Sequence, residues 1–173
     1  MCALAVALAI VASGSPGLSE VERSWTMSTV VSGFIRTQEQ SLWLGTWQQI
    51  PPPTKWFNPW PYQKVTLRIE PWEDGLRVVY DMVRRRGGIT HMEWGGRFDG
   101  RDYPVHGVDY VLTNAYRQIS NRSYEIVVRV DGREAAVATA VVSADGSRMT
   151  VDTVERDARG QAARTQAVYV RRR

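Results

Sequence analysis

Apolar and polar residues alternate along much of the chain after residue 42. Val65, Leu67 and Ile69 are separated by polar residues, and residues 76–82 and 124–130 repeat the pattern. Because successive side chains of a β-strand point to opposite faces of its sheet, this alternation predicts strands with one buried and one solvated face. The region is therefore predicted to be all-β.

Turn signals divide the same region at short intervals. Asp-Gly is the most frequent of them, and its residues tolerate the positive backbone angles of tight hairpins. Seven such turns predict about eight to ten antiparallel strands, arranged as a sandwich or an up-and-down barrel. Short connections favour a meander, and closing it removes exposed edges, so we predict an up-and-down barrel. The turns are residues 73–75, 86–88, 99–100, 120–122, 131–132, 144–146 and 158–160.

The first 41 residues follow no such pattern. Residues 2–12 are an apolar run, too short for the ~20 residues of a membrane-spanning helix but typical of an export signal, and small residues and a turn follow it. No Lys or Arg precedes the run, although export signals usually begin with one. Two interpretations therefore remain, a leader whose start is truncated and an uncleaved apolar helix. We expect a leader at 1–17, a linker or short helix at 18–41, a barrel domain at 42–173, and a periplasmic or secreted protein.

A proline-rich segment at residues 51–63 separates the first two predicted strands. Proline donates no backbone hydrogen bond to a sheet, so the segment is predicted to be a long loop. Its bulky side chains, Trp56, Phe57 and Trp60, either cover one mouth of the barrel or form a flap over a ligand.

Composition narrows the function classes. The 173 residues are 43% hydrophobic, enough for one domain with a core. The net charge of +4 comes partly from clusters at 84–86 and 171–173, which is typical of a solvated surface, and no nucleic-acid motif accompanies it. One cysteine and two histidines argue against disulfides, a metal cluster and a metal cofactor.

Catalytic motifs are also missing, and we predict no enzyme. The closest candidate is His91 with Glu93, which share one face of a predicted strand. Met92 and Trp94 share the other face. If that apolar face is the interior, His91 and Glu93 face solvent.

The predicted inner face is rich in aromatic residues and methionine, which suits an apolar or aromatic ligand oriented by tyrosine hydroxyls. The same residues could equally form a filled core. The predicted ligand-binding residues are Tyr80, Met82, Trp94, Phe98 and Tyr124 in the interior, with Trp56 and Trp60 at the mouth, and Ile126 is also predicted to point inward.

Four segments occur in a recognisable order: Gly45-Thr46-Trp47, DGRDYPV at 99–105, VVSADGSRMTV at 141–151 and VYV at 168–170. Over residues 42–171 the chain resembles exported bacterial lipocalin-like proteins. The resemblance implies a calycin-type barrel, with Trp47 closing one end. Fatty-acid-binding proteins of this type place an Arg two residues before the C-terminal Tyr to hold a carboxylate. Here Ala167 holds that position, so no such clamp is implied.

The segment GGRFDGRDYPVHG at 95–107 is predicted to be a corner between strands. Asp99-Gly100 would form the turn, Asp102 would accept backbone N–H groups within it, and Tyr103-Pro104 would begin the next strand. A ligand contact by Arg101 or Tyr103 is the alternative.

Two functions remain at this stage. The first is binding or transport of a small apolar or aromatic molecule by an exported barrel. The second is an envelope-associated structural or interaction module with a filled barrel, whose Trp-Pro loop meets a partner protein or a membrane surface.

Overall fold

A computed structural model describes residues 42–52, 61–156 and 160–173, which form ten antiparallel strands and no helix. Each strand pairs with its neighbours in the chain, and the first also pairs with the last, so the sheet closes into an up-and-down barrel. This confirms the predicted fold class. The strands are β1 Gly45–Ile50, β2 Tyr62–Trp72, β3 Gly75–Arg84, β4 Ile89–Gly96, β5 Asp99–His106, β6 Leu112–Ser120, β7 Ser123–Val130, β8 Arg133–Val142, β9 Arg148–Arg156 and β10 Ala162–Arg172.

The alternation seen in the sequence places one face of each strand in the core. In β2, Val65, Leu67 and Ile69 are buried, whereas Lys64 and Arg68 are exposed. The same holds along β7 and β9. The barrel interior is therefore the hydrophobic core of the domain.

Most connections coincide with the predicted turns. Between β7 and β8, Asp131 and Gly132 have φ angles of 50° and 77°, the positive values that a two-residue hairpin turn requires. Residues 107–111 between β5 and β6 form a connection that the turn signals did not indicate. Gly107 has a φ of 95° there, and a Cβ atom at this position would lie 2.1 Å from the His91 carbonyl oxygen.

The corner at residues 95–107 differs from the prediction in two respects. β4 ends at Gly96 and β5 begins at Asp99, so the corner falls on Arg97 and Phe98. The carboxylate that accepts a backbone N–H here is that of Asp99, whose Oδ1 atom lies 3.0 Å from the Arg101 nitrogen at the start of β5. Asp102 instead pairs with Arg129 of β7 at 2.5 Å.

One end of the barrel, which we call the closed end, is sealed around the start of β1. Trp47 is fully buried, as expected, and its indole N–H donates to the Trp43 carbonyl at 2.8 Å. The Arg171 guanidinium lies 4.4 Å from the Trp47 ring centre. It also donates to the carbonyls of Leu42, Leu44 and Gly146, which ties β10 to the segment before β1 and to the β8–β9 turn.

At the opposite end the wall is uneven, because β1 has six residues whereas β2 and β10 have eleven each. β1 reaches only to the pairs Ile50–Val168 and Gln48–Thr66. The predicted mouth residues Trp56 and Trp60, the leader and the linker lie outside the described residues. Within the described residues no helix is long and apolar enough to span a membrane.

Candidate functional site in the barrel interior

Among the described residues, four buried polar side chains other than tyrosines interrupt the apolar lining of the barrel. They are Gln49 on β1, Asn114 on β6, and Thr153 and Glu155 on β9. Each occupies a position where the strand alternation directs the side chain inward, next to apolar residues such as Trp47 and Val151. A polar residue at such a position costs free energy unless it is hydrogen-bonded.

Three tyrosines add hydroxyl groups to the same interior. The hydroxyl oxygens of Tyr80 and Tyr116 lie 3.4 Å apart, and Tyr169 is close enough to interact electrostatically with both. Burial raises the pKa of Tyr80, Tyr116 and Tyr169 above the ordinary value of 10.0. All three are therefore neutral phenols near pH 7, able both to donate and to accept a hydrogen bond.

Several of the buried polar atoms have no hydrogen-bond partner among the described residues. They are both amide atoms of Gln49, the Oδ1 atom of Asn114 and the Oε1 atom of Glu155. Leaving such an atom unsatisfied costs about 1–3 kcal/mol, and most buried polar groups in proteins do find partners. These atoms are consequently suited to a partner supplied from outside the described chain.

We call Gln49, Tyr80, Asn114, Tyr116 and Tyr169 the interior polar set. Gln49 is the direct strand partner of Tyr169. Asn114 and Tyr116 lie two residues apart on β6, so they share its inner face. The hydroxyl contact between Tyr80 and Tyr116 joins β3 to β6. The set thus brings together side chains from β1, β3, β6 and β10.

Trp94 holds one side of this set in place. Its indole N–H donates to the Asn114 backbone carbonyl at 3.1 Å, and its ring stacks on Tyr116 with centroids 4.0 Å apart. The Tyr103 ring stands nearly perpendicular to the same indole, with ring centroids 6.2 Å apart. Because Trp94 is fully buried, its contacts leave Tyr116 and the Asn114 backbone little freedom to move.

The facing wall is lined by small side chains. Ala136, Ala138 and Ala140 follow one another on the inner face of β8, and Ala167 continues the small lining on β10. Their counterparts on β3 and β4 include Tyr80, Met82 and Trp94. The lining is therefore asymmetric, with bulky aromatic residues on one side and short side chains on the other.

The predicted ligand-binding residues fall into three groups. Tyr80, which belongs to the interior polar set, lies in the interior together with Met82 and Trp94. Phe98 and Tyr124 stack on each other at 4.6 Å, and Tyr124 also packs against Trp43 at the closed end. The third group, Trp56 and Trp60, lies outside the described residues. For all of them, contact with a ligand stays a prediction.

Apart from Tyr80, which is among the predicted ligand-binding residues, the members of the polar set were missed from the sequence. The sequence signal for these residues is a polar side chain at a position where the alternation predicts an inward-pointing apolar one, as at Asn114 in Leu112-x-Asn114-x-Tyr116. Gln49 and Glu155 follow the same rule at the ends of β1 and β9. Such positions can be recognised only once the inner face of each strand has been assigned.

His91 and Glu93 lie on the outer surface of β4, since Met92 and Trp94 are buried. The Arg77 guanidinium holds Glu93 through two hydrogen bonds of 2.6 and 2.7 Å, and this contact lowers the pKa of the Glu93 carboxyl. His91 Nδ1 lies 2.7 Å from an Asp81 carboxylate oxygen. The two residues therefore make separate contacts between β3 and β4, a Glu93–Arg77 ion pair and a His91–Asp81 hydrogen bond, on the solvent-facing side of the sheet, as expected.

The chain matches no protein-family model, and no curated protein matches its sequence significantly. The assignment of the site therefore depends on its geometry.

Proposed function

We propose that the barrel binds a small organic molecule in its interior, as an exported lipocalin-like binding or transport protein. The ligand class is apolar or aromatic, with at least one polar group. The observation that carries the proposal is the presence of buried polar atoms without partners in the interior. A ligand that paired with these atoms would offset the cost of burying them.

The polar part of the ligand is assigned to the interior polar set. The Gln49 amide offers a donor and an acceptor, and the tyrosine hydroxyls offer both. A carbonyl, hydroxyl or ring nitrogen on the ligand could pair with several of these groups at once. Convergent polar groups in an otherwise apolar lining are typical of small-molecule sites.

The apolar part of the ligand is assigned to the space beside the β8 alanines. Met82 and the Tyr80 ring face that side from β3, and the polarizable methionine adapts to ligands of varied shape. The ten-stranded antiparallel barrel is compatible with a lipocalin-like fold, which is the architecture that the sequence resemblance implies.

The test fills the proposed space. Ala138 is fully buried on β8, so Ala138→Leu places a larger side chain where the ligand would lie. Thr139→Leu on the outer face of the same strand is the matched control. The probe is N-phenylnaphthylamine, whose fluorescence increases in apolar surroundings, and urea unfolding is measured on the same three proteins.

We expect saturable probe binding by the natural chain and by Thr139→Leu, about tenfold weaker binding by Ala138→Leu, and an unchanged urea midpoint. A filled barrel would behave differently. It would not bind the probe, and Ala138→Leu would lose about 1–3 kcal/mol of stability through overpacking. That result would refute the proposal and favour the interaction module. If the probe binds as expected, native mass spectrometry of protein purified from its own source would identify the natural ligand.

A further inference from the structure

Glu155 is unusual among the charged residues of the barrel. Of the Asp, Glu, Lys, Arg and His residues that the structure describes, it alone has less than a tenth of its surface exposed, at 8%. It follows Met149, Val151 and Thr153 on the inner face of β9. Since β9 begins at the closed end, Glu155 lies in the interior toward the opposite end.

The strands that flank Glu155 supply no basic side chain to neutralise it. Its direct partners are Ala136 on β8 and Ala163 on β10. Asp152, Arg156 and Arg164, the nearest charged residues on β9 and β10, are exposed. The carboxyl group accepts one hydrogen bond, from Thr165, and its Oε1 atom has no partner among the described residues.

Arg171, which lies against the buried Trp47, cannot fill this role. Arg171 is committed at the closed end, where three backbone carbonyls and the Trp47 ring surround its guanidinium. A buried carboxylate without a cation is costly, and the cost falls sharply when a hydrogen-bonded positive charge is placed beside it. The strand partners of Glu155 are alanines, whose side chains carry no hydrogen-bond donor of their own.

From these contacts, and building on the proposed function, we infer that the ligand carries a protonated amine that donates to Glu155 Oε1. An organic amine fits better than a metal ion, because the described residues contain no group of three His, Cys, Asp or Glu side chains that could hold a metal.

The experiment compares probes of one shape and different charge. Naphthylmethylamine, naphthylmethanol and naphthoic acid are titrated into the full chain near neutral pH by calorimetry. Two variants accompany it. Glu155→Gln removes the buried charge and keeps the shape, and Asp152→Asn removes an exposed charge from the outer face of the same strand.

We expect the natural chain to bind the amine at least about tenfold more tightly than the alcohol, and the acid most weakly. Glu155→Gln should remove the preference for the amine and leave alcohol binding unchanged. Asp152→Asn should behave like the natural chain, which excludes a general effect of net charge.

The outcomes separate the two proposals. Alcohol binding without preference for the amine overturns the amine inference and leaves the proposed function intact. An equal loss for both probes in Glu155→Gln also overturns it, because the residue would then act on shape alone. If neither probe binds the natural chain, the proposed function and the amine inference both fail.

Discussion

Arg171 is the residue on which closure of the barrel depends most directly. Its side chain bridges β10, the segment before β1 and the β8–β9 turn, and burial lowers the pKa of its guanidinium. We predict that Arg171→Ala destabilises the domain strongly. Its neighbour Arg172 is exposed and contacts Gln48, so Arg172→Ala is the matched control.

The magnitude follows from the contacts that are lost. A hydrogen bond to a charged group contributes about 1.5–3 kcal/mol, and a cation–π contact about 0.5–1 kcal/mol at an exposed site. The full sum over three carbonyl bonds and the Trp47 contact overestimates the loss of stability, because Arg171 is only half-buried and water can replace part of the hydrogen bonding. We expect a net loss of about 3 kcal/mol.

Urea unfolding is the appropriate assay. Arg171→Ala should lower the midpoint at an unchanged slope, and thermal unfolding should shift downward by about 10 °C. Arg171→Lys should recover only part of the loss, because an ammonium group cannot reach three carbonyls with a planar fork. If Arg171→Ala and Arg172→Ala proved equally stable, the bridging role assigned to Arg171 would be wrong.

Three further predictions concern other parts of the barrel. Gly75→Ala should prevent stable folding, because the added Cβ atom would lie 1.9 Å from the Gly96 carbonyl oxygen. Gly95→Ala should be tolerated, since the nearest atom to its Cβ would be 3.5 Å away, in the Trp72 side chain. Circular dichroism and urea midpoints distinguish the two variants. Hydrogen bonds from Ser143 and Ser147 lower the pKa of Asp145 to about 2, so the stability that its carboxylate contributes is complete above pH 3.8 and is lost as the pH falls toward 2. Asp145→Asn should flatten this part of the curve of stability against pH, and an unchanged curve would contradict the assignment. Burial raises the pKa of Glu155 above its ordinary 4.5, so the natural chain should lose stability as the pH rises from 4.5 through the raised value. Glu155→Gln should lack this loss, and parallel curves of stability against pH for the two proteins would refute the reasoning.

The fold was accessible from the sequence because its signals are local. Strand alternation and Asp-Gly turns each depend on a few adjacent residues, as the positive φ angles of Asp131 and Gly132 illustrate. The β5–β6 connection was missed because its only strong signal is Gly107, whose need for a small residue comes from the distant His91 backbone. The predicted corner differs from the observed one because Asp99-Gly100 forms the start of β5, so that the turn falls on the two residues before it.

The interior was accessible only in part, because its chemistry depends on contacts between strands far apart in sequence. Burial of Trp94 and Met82 could be anticipated from their alternation. The meeting of Tyr80 with Tyr116, and of Gln49 with Tyr169, requires the register and closure of the sheet. The isolation of Glu155 between two alanines likewise appears only when three strands are aligned.

The pairing of β1 with β10 has a consequence for how the chain is made. Arg171 and Leu44 are 127 residues apart, and the final strand holds the partners of the first. During synthesis of the polypeptide, β1 gains its second neighbour only after β10 has been made. Until then the nascent sheet carries two unpaired edges, which other chains can join. A stop codon that removed the eleven residues of β10 would leave those edges open permanently.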